Sequence, residues 1–281
     1  MQQQNSVCDF GSSESWVVLS PIEQSIKKKI EAVGTPLRDW NINIYRGVLT
    51  GCNEAFIINT EKRDEILANC QTDDERTRTD ELIRPILRGR DIKRYGYVDN
   101  GLFLINTHNG IRNKLPRIDI NDYPAVKTHL DQYWDRISTR ADKGDTPYNL
   151  RNCAYLEDFS KPKIMYSEIV RSPQFYLDEQ GQFFPEATTF ILTGEHLRYL
   201  YNIFHSKVFT YFFKHFYAGG GLGEDGYRYK KVFFEKLPIP KMIGTPNQQV
   251  IESANENINI EKNCLLLFNF SEDEIKEIER D

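Results

Sequence analysis

Long apolar runs, clustered cysteines and an excess of positive charge are all missing from this 281-residue sequence. No stretch approaches the roughly 18 apolar residues that a membrane-spanning helix needs, so we do not expect an integral membrane protein. Residues 1–5 are rich in glutamine and include no basic segment ahead of an apolar one, so a secretory signal is not expected either. Hydrophobic residues make up 40% of the chain and aromatic residues 12%, which excludes a wholly disordered protein.

The five cysteines are scattered, and no two of them form a CxxC pair. An odd number without clustering fits neither a disulfide scaffold nor a zinc ribbon, and it is typical of proteins of the reducing cytoplasm. The five histidines form no HExxH or similar ligand spacing. We therefore expect a cytoplasmic protein without a metal site.

The net charge of −5 argues mildly against nucleic-acid binding, but the charges are unevenly distributed. Residues 271–281 carry six acids and two bases, whereas residues 84–94 carry five bases and one acid. Binding depends on such local patches, so the average charge does not exclude an anionic partner.

Predicted strands occur mostly in hairpins and are interrupted by helices, without regular βαβ alternation. Spacing and caps predict helices over residues 21–33, capped by Ser20, and 272–280, capped by Ser271 with Glu274. The turn at residues 99–101 (DNG) predicts a hairpin of strands 95–98 and 102–105. This order favours an α+β fold over a doubly wound sheet.

Two motifs resemble catalytic loops but lack the residues that the chemistry needs. Residues 219–223 (GGGLG) are not followed by the Lys-Ser/Thr of a phosphate-binding loop, so we interpret them as a flexible loop. Residues 146–148 (TPY) lack the leading Asn or Asp and the second proline of the Asn-Pro-Pro-Tyr motif of amino methyltransferases. A glycine-rich first strand for S-adenosylmethionine is also missing, so we predict no methyltransferase site in this chain.

Two other functions remain open at this stage. The first is an autonomous Mg²⁺-dependent nuclease that uses Asp158, Glu168 and a nearby lysine such as Lys163, although the order of these residues is reversed relative to the usual Asp…Glu-x-Lys pattern. The second is a protein-interaction module in which the unusually aromatic segment 195–216, predicted to be one helix, binds a partner.

The segment 84–94 is the strongest indication of a nucleic-acid partner. Its arginines surround a glycine, which would permit a turn with positive φ that directs both neighbouring side chains outward. Guanidinium groups match phosphates and the O6/N7 edge of guanine. The alternative is a solvated surface in which the arginines pair with nearby acids of the same fold.

Six segments in order resemble one family, the TaqI-like C-terminal specificity domain. They are residues 34–40 (GTPLRDW), 44–58 (IYRGVLTGCNEAFII), 83–92 (IRPILRGRDI), 147–151 (PYNLR), 161–169 (KPKIMYSEI) and 229–240 (YKKVFFEKLPIP). This is the target-recognition part of type IIG restriction–modification enzymes and adenine-N6 DNA methyltransferases. The exit at residues 237–240 is also similar to the ends of target-recognition domains in type I restriction specificity subunits.

The resemblance implies an α+β fold of twisted, mostly antiparallel sheets flanked by helices, with a helical C-terminal segment. It implies a tail and linker helix over residues 1–33, a DNA target-recognition domain over 34–245 and closing helices over 246–281. The implied function is sequence-specific recognition of double-stranded DNA for a bacterial, cytoplasmic enzyme that methylates adenine N6, with or without cleavage.

This chain would be the non-catalytic part, without a cofactor of its own. S-adenosylmethionine, and Mg²⁺ if the parent cleaves DNA, would belong to upstream domains of the same polypeptide, and no activity is expected from this chain alone. The resemblance places DNA-contacting side chains in or beside the loops, namely Arg46, Thr50, Asn53, Arg88, Arg90, Lys93, Arg94, Tyr148, Asn149, Arg151, Lys230 and Lys231.

Overall fold

The computed structural model describes residues 19–218, 226–241, 244–252 and 258–280. They divide into two compact units. The terminal unit takes the residues up to Asn43, Glu168–Phe175, and those from Gly194 onward; the central unit takes Ile44–Ser167 and Tyr176–Thr193. No helix within the described ranges has both the length and the apolar composition that crossing a bilayer requires. The predicted glycine loop at 219–223 lies outside the described residues.

The strands are short. In chain order they are β1 (Gly34–Pro36), β2 (Ile42–Arg46), β3 (Ile57–Asn59), β4 (Ile83–Leu87), β5 (Ile92–Lys93), β6 (Gly96–Tyr97), β7 (Leu102–Ile105), β8 (Lys163–Ser167), β9 (Ile169–Val170), β10 (Phe175–Asp178), β11 (Phe184–Pro185), β12 (Thr189–Gly194), β13 (Tyr227–Arg228) and β14 (Pro238–Pro240).

The α-helices are also mostly short. They are α1 (Pro21–Val33), α2 (Asn53–Phe56), α3 (Thr60–Ala68), α4 (Asp73–Leu82), α5 (Pro124–Asp131), α6 (Trp134–Ile137), α7 (Leu197–Phe204), α8 (Lys207–Phe212), α9 (Lys231–Phe234), α10 (Pro246–Glu252), α11 (Ile258–Leu266) and α12 (Glu272–Arg280). A π-helical segment, Phe213–Tyr217, extends α8.

The central unit is built on two four-stranded sheets, with strand orders β10-β8-β12-β2 and β11-β4-β7-β3. β12 pairs with β8, and β7 with both β3 and β4, in antiparallel register, while β11 joins β4 in parallel. The apolar side chains of these strands form the core together with α5, including Ile86, Leu104, Val126 and Met165. The prediction of mostly antiparallel sheets is confirmed.

The terminal unit contains two two-stranded ladders and a buried aromatic cluster. β1 pairs with β14 and β9 with β13, both antiparallel. Rings from separate parts of the chain meet in the cluster: the Phe175 centroid lies 5.2 Å from that of Tyr229, and Phe213 lies 4.7 Å from Tyr229. Most large side chains of α7 and α8 are buried, so the hypothesis that segment 195–216 presents its aromatic side chains to a partner is wrong.

That segment is not one helix, as predicted, but two α-helices with a π-helical extension. The break falls at His205 and Ser206, because the Ser206 side chain caps α8 by accepting a hydrogen bond from the backbone of Phe209. The predicted hairpin at 99–101 is also wrong. The turn itself forms, with Gly101 at positive φ, but β7 pairs with β3 and β4 while β6 pairs with β5.

Candidate nucleic-acid interface

A short 3₁₀ turn, Gly89–Asp91, follows β4 and separates two arginines with different environments. Arg88 is clamped by the buried carboxylate of Asp91, which accepts hydrogen bonds from Nε at 2.8 Å, from Nη2 at 2.9 Å and from the Arg88 backbone at 3.0 Å. Burial alone would raise the pKa of Asp91, but these bonds outweigh it, so that pKa is lowered. The same hydrogen bonds raise the pKa of Arg88, and the pair stays ionised at neutral pH.

Arg90 lies between the two residues of this clamp, and Lys93 and Arg94 follow it closely; all three are exposed. Lys93 Nζ donates to the backbone oxygen of Arg90 at 2.7 Å, and the Arg94 guanidinium lies over the ring of Tyr95 at 5.1 Å. Within the described residues no side-chain hydrogen bond or ion pair engages Arg90. The turn therefore holds one arginine internally and presents another cation to solvent.

Glycine is required at position 89 because a Cβ atom would not fit there, and not because of the φ angle. The sequence suggests a turn with positive φ, but Gly89 is not among the glycines that adopt it. A Cβ at this position would lie 2.6 Å from the Thr188 backbone oxygen and 2.9 Å from Ser167 Oγ. The Gly89 N–H also donates to Thr188 Oγ1 at 3.0 Å. The close approach fixes the turn that carries Arg88 and Arg90.

Between β2 and α2, the loop at residues 47–52 turns its polar side chains partly inward. Thr50 is buried, and its hydroxyl donates to Asn53 Oδ1 at 2.5 Å and accepts from the Cys52 backbone at 3.2 Å. Arg46 is exposed at the end of β2, where its Nε donates to the Ala187 backbone oxygen at 2.9 Å. Arg46 is thus an exposed cation, while Thr50 acts within the fold.

The predicted DNA-contacting residues at 148–151 also include both buried and exposed side chains. Asn149 is buried, and its side-chain amide donates to the backbone oxygen of Ile118 at 2.9 Å. The hydroxyl of the half-buried Tyr148 donates to Asp131 at 2.6 Å. Arg151 is exposed, with Nη1 3.1 Å from Asp142 Oδ1. Asn149 therefore shapes the loop, and Arg151 is its solvent-facing cation.

Arg140 joins these two loops and was missed by the sequence analysis. Its buried guanidinium donates to the backbone oxygens of Thr50, Asp142, Pro147 and Asn149, the last at 2.6 Å, and lies over the Phe56 ring at 4.3 Å. Burial lowers the pKa of Arg140 to about 10, so it remains charged at neutral pH. A single arginine outside any recognised motif carries no sequence signal for this role.

Lys230 and Lys231 lie in the terminal unit, at the start of α9. Both are exposed; Lys230 Nζ lies 5.8 Å from the centroid of Phe233, and Lys231 Nζ lies 3.5 Å from Glu235 Oε1. Arg46, Arg90, Lys93, Arg94 and Arg151 all belong to the central unit.

Two of the residues invoked for a nuclease, Asp158 and Lys163, have other partners. Lys163 is fully buried and donates to Asp178 Oδ2 at 2.6 Å, and Asp158 accepts from Lys161 at 2.8 Å. Among the residues that the structure describes, no three His, Cys, Asp or Glu side chains are grouped as metal ligands.

An α+β protein with exposed cations on short, internally braced loops fits the class of sequence-reading domains. The TaqI-like C-terminal specificity domain matches residues 84–239, more than half of the chain, and the chain belongs to this family. The predicted family, the predicted fold and the predicted role in target recognition for restriction–modification are confirmed.

One similar protein is the type II methyltransferase M.BstVI of Geobacillus stearothermophilus, with 23% identity over 256 residues, covering 89% of this chain. Two solved structures share the fold. The type IIG restriction endonuclease BpuSI aligns over 93% of this chain with a TM-score of 0.59 and 13% identity. The type IIL restriction–modification enzyme MmeI, solved in complex with DNA, aligns over 87% with a TM-score of 0.57 and 11% identity.

The chain spans only part of each of these proteins: 42% of M.BstVI, 32% of BpuSI and 35% of MmeI. In each case the matched part is a minority of the longer protein.

Proposed function

We propose that this chain selects the DNA sequence on which a restriction–modification enzyme methylates adenine N6, and that it performs no chemistry itself. Family membership supports the recognition role. The similarity to a longer type II methyltransferase supports a methyltransferase domain as the partner, and S-adenosylmethionine would bind there. Cleavage, and the Mg²⁺ it would need, also belong to parts of the parent beyond this chain. A bacterial, cytoplasmic setting fits such an enzyme.

The observation that carries this proposal is the braced turn at 88–91. Base reading requires a hydrogen-bonding side chain on a rigid support, because a mobile arginine loses conformational entropy when it binds. Here the Arg88–Asp91 clamp and the closely packed Gly89 supply the support, and Arg90 supplies the exposed guanidinium. Arg46, Lys93, Arg94, Arg151, Lys230 and Lys231 are the other exposed cations available for phosphates or bases. Thr50, Arg88 and Asn149 would act by shaping loops.

Selection of DNA from a random duplex pool tests the proposal. The chain is incubated with the pool at low salt, and bound DNA is amplified and sequenced; an enriched sequence motif is expected. Arg90→Ala should relax one position of the motif and weaken binding by about 1–3 kcal/mol if Arg90 reads a guanine.

Arg38→Ala is the matched control, since it removes one exposed guanidinium that lies outside the turn at 88–91. It should preserve both the motif and the affinity. Arg88→Ala breaks the clamp that supports Arg90, so it should lower the melting temperature and weaken the same position of the motif. Failure of the chain to retain any DNA, or retention without an enriched motif, would contradict the proposed function.

A further inference from the structure

A cavity of about 500 Å³ lies wholly within the central unit, beside Arg46 and Arg151. Its size falls in the range of ordinary small-molecule sites, which is about 300–1,000 Å³. Among the described residues that line it there is no Asp or Glu, while both arginines stand on it. The pocket therefore favours an anionic ligand.

Two aromatic side chains, Tyr155 and Phe159, are among the residues that line the pocket. The ring of Tyr155 stacks on Tyr45 at 4.3 Å between centroids and 7° between planes, and Phe159 meets Tyr155 edge-on at 5.8 Å. Such mutual packing fixes the orientation of the Tyr155 ring. A rigid aromatic side chain in a pocket is a stacking platform for another planar ring.

Two polar side chains that line the pocket, Asn106 and His108, can form hydrogen bonds with a ligand. Asn106 is 9% exposed, and its buried Oδ1 has no hydrogen-bond partner among the described residues, an arrangement that costs free energy unless a ligand supplies a donor. His108 Nδ1 accepts from the Gly110 N–H at 3.2 Å, so the neutral ring carries its proton on Nε2 as a donor. Burial lowers the pKa of His108 and favours that neutral form.

We propose that this pocket receives one unstacked nucleotide of the bound DNA, with its base against Tyr155 and Asn106 and its phosphate at Arg46 and Arg151. The proposal rests on the proposed function, since it requires DNA as the partner. A base carries N–H donors for the Asn106 oxygen and acceptors for an imidazole N–H, and an extrahelical base is generally held by stacking and by hydrogen bonds to its edge.

The test measures the affinity of the full chain for three duplexes at low salt: a fully paired one, one with a single bulged nucleotide, and one with an abasic residue at the bulge. Unstacking costs a few kcal/mol in a paired duplex and little in a bulge, so the base-bearing bulge should bind about tenfold tighter than paired DNA. The abasic bulge is equally distorted but has no base to insert. It should bind like paired DNA.

Two variants locate the effect in the pocket. Asn106→Leu removes the acceptor and should reduce the preference for the base-bearing bulge about fivefold. Ala154→Trp, at an exposed residue that lines the pocket, should obstruct it without disturbing the core. Arg90→Ala, which lies outside the pocket lining, is the control and should weaken binding of all three duplexes alike.

Equal binding of the base-bearing and abasic bulges, or a preference that survives both pocket variants, would overturn the pocket proposal alone. In that case paired DNA would still bind in an Arg90-dependent manner. If none of the three duplexes binds, the proposed function fails, and the pocket proposal fails with it.

Discussion

Arg88 and Arg90 occupy equivalent places in the sequence, one on each side of a glycine, yet only one is turned to solvent. The difference arises from Asp91, whose carboxylate lies three residues from Arg88 and closes a two-point ion pair with it. Asn100 adds a further hydrogen bond to the same carboxylate at 3.0 Å. An i,i+3 carboxylate thus decides which of two similar arginines is available to a partner.

Lys163 and Asp178 form a fully buried ion pair in the central unit. Burial lowers the pKa of Lys163, and the hydrogen bond to Asp178 opposes that shift. Lys163→Met should destabilise the protein by about 3–5 kcal/mol, because it leaves a buried carboxylate without its countercharge. Denaturant unfolding followed by circular dichroism would measure this loss.

The double variant Lys163→Met/Asp178→Asn is the matched control. It removes the uncompensated charge and keeps an oxygen for the backbone N–H of Gln182 or Phe183, so part of the stability should return. A loss below about 1 kcal/mol for the single variant would show that the pair does not hold the core as described.

For single residues, the sequence indicates which loops carry side chains suited to DNA contact, but it does not show which of these side chains face solvent. The loop positions rich in Arg, Lys, Asn and Thr include exposed cations, but they also include buried side chains. Thr50 turns inward to bond within its own loop, where its hydroxyl accepts from the Cys52 N–H. Asn149 turns inward because the buried backbone oxygen of Ile118 needs a hydrogen-bond partner, and Ile118 lies in a segment that the sequence does not pair with Asn149. Arg140 escapes prediction for the same reason, since its acceptors become neighbours only after folding.

Helix α12 is held at its first turn by one carboxylate. Glu274 Oε2 accepts from the backbone N–H of Ser271 at 2.6 Å and from Lys29 Nζ at 2.6 Å, and Oε1 accepts from Ser25 at 2.7 Å. Burial opposes ionisation, but these hydrogen bonds outweigh it and lower the pKa of Glu274 to about 2. The carboxylate both caps α12 and links it to α1.

This lowered pKa makes the contribution of Glu274 to the stability of the protein pH-dependent. In the unfolded chain Glu274 would titrate near its ordinary value of 4.5, so its contribution is complete above that pH and is lost as the pH falls toward 2. Glu274→Gln should cost on the order of 3 kcal/mol at pH 7, by the size of the shift. Unfolding free energies of both proteins between pH 3 and pH 7 would measure the difference, which should shrink with falling pH.

Glu272→Gln removes a carboxylate from the same turn of the helix and is the control. Glu272 is exposed, so its loss should cost well under 1 kcal/mol at either pH. A constant difference between Glu274→Gln and the native protein across this range would contradict the assigned role of the carboxylate.

Helix caps could be predicted from the sequence because they depend on nearby residues, whereas the pairing of strands could not. The cap of α1 at Ser20 and that of α12 at Ser271 are confirmed, since a capping box is a contact within four residues. The hairpin failed because the turn at Gly101 is local, whereas the apolar β7 is buried between β3 and β4, which the turn does not specify.

The whole molecule has a net charge of −5 but contains a locally basic segment. The salt dependence of DNA binding shows whether the net charge or the segment governs binding. Replacing Arg90, Lys93 and Arg94 together by alanine should reduce the slope of log K against log salt by about 1 for each phosphate that these side chains neutralise. Titrations at four salt concentrations with a fixed duplex would give this slope.

The matched control replaces three exposed lysines of the terminal unit, Lys28, Lys207 and Lys276, and so removes the same charge. Its slope should stay close to that of the native chain, because phosphates respond to nearby cations more than to total charge. Equal slope changes for the two triple variants would assign the binding to overall charge and not to the segment at 90–94.

The pairing of β1 with β14 has a consequence for synthesis. Thr35 leaves the ribosome well before its partner Ile239, because the residues of the central unit lie between them in the chain. Every residue of the central unit has by then been delivered, since that unit ends at Thr193. Domains generally fold as units during synthesis. We therefore expect the central unit to fold first, while β1 remains unpaired and exposed to aggregation until β14 has left the ribosome.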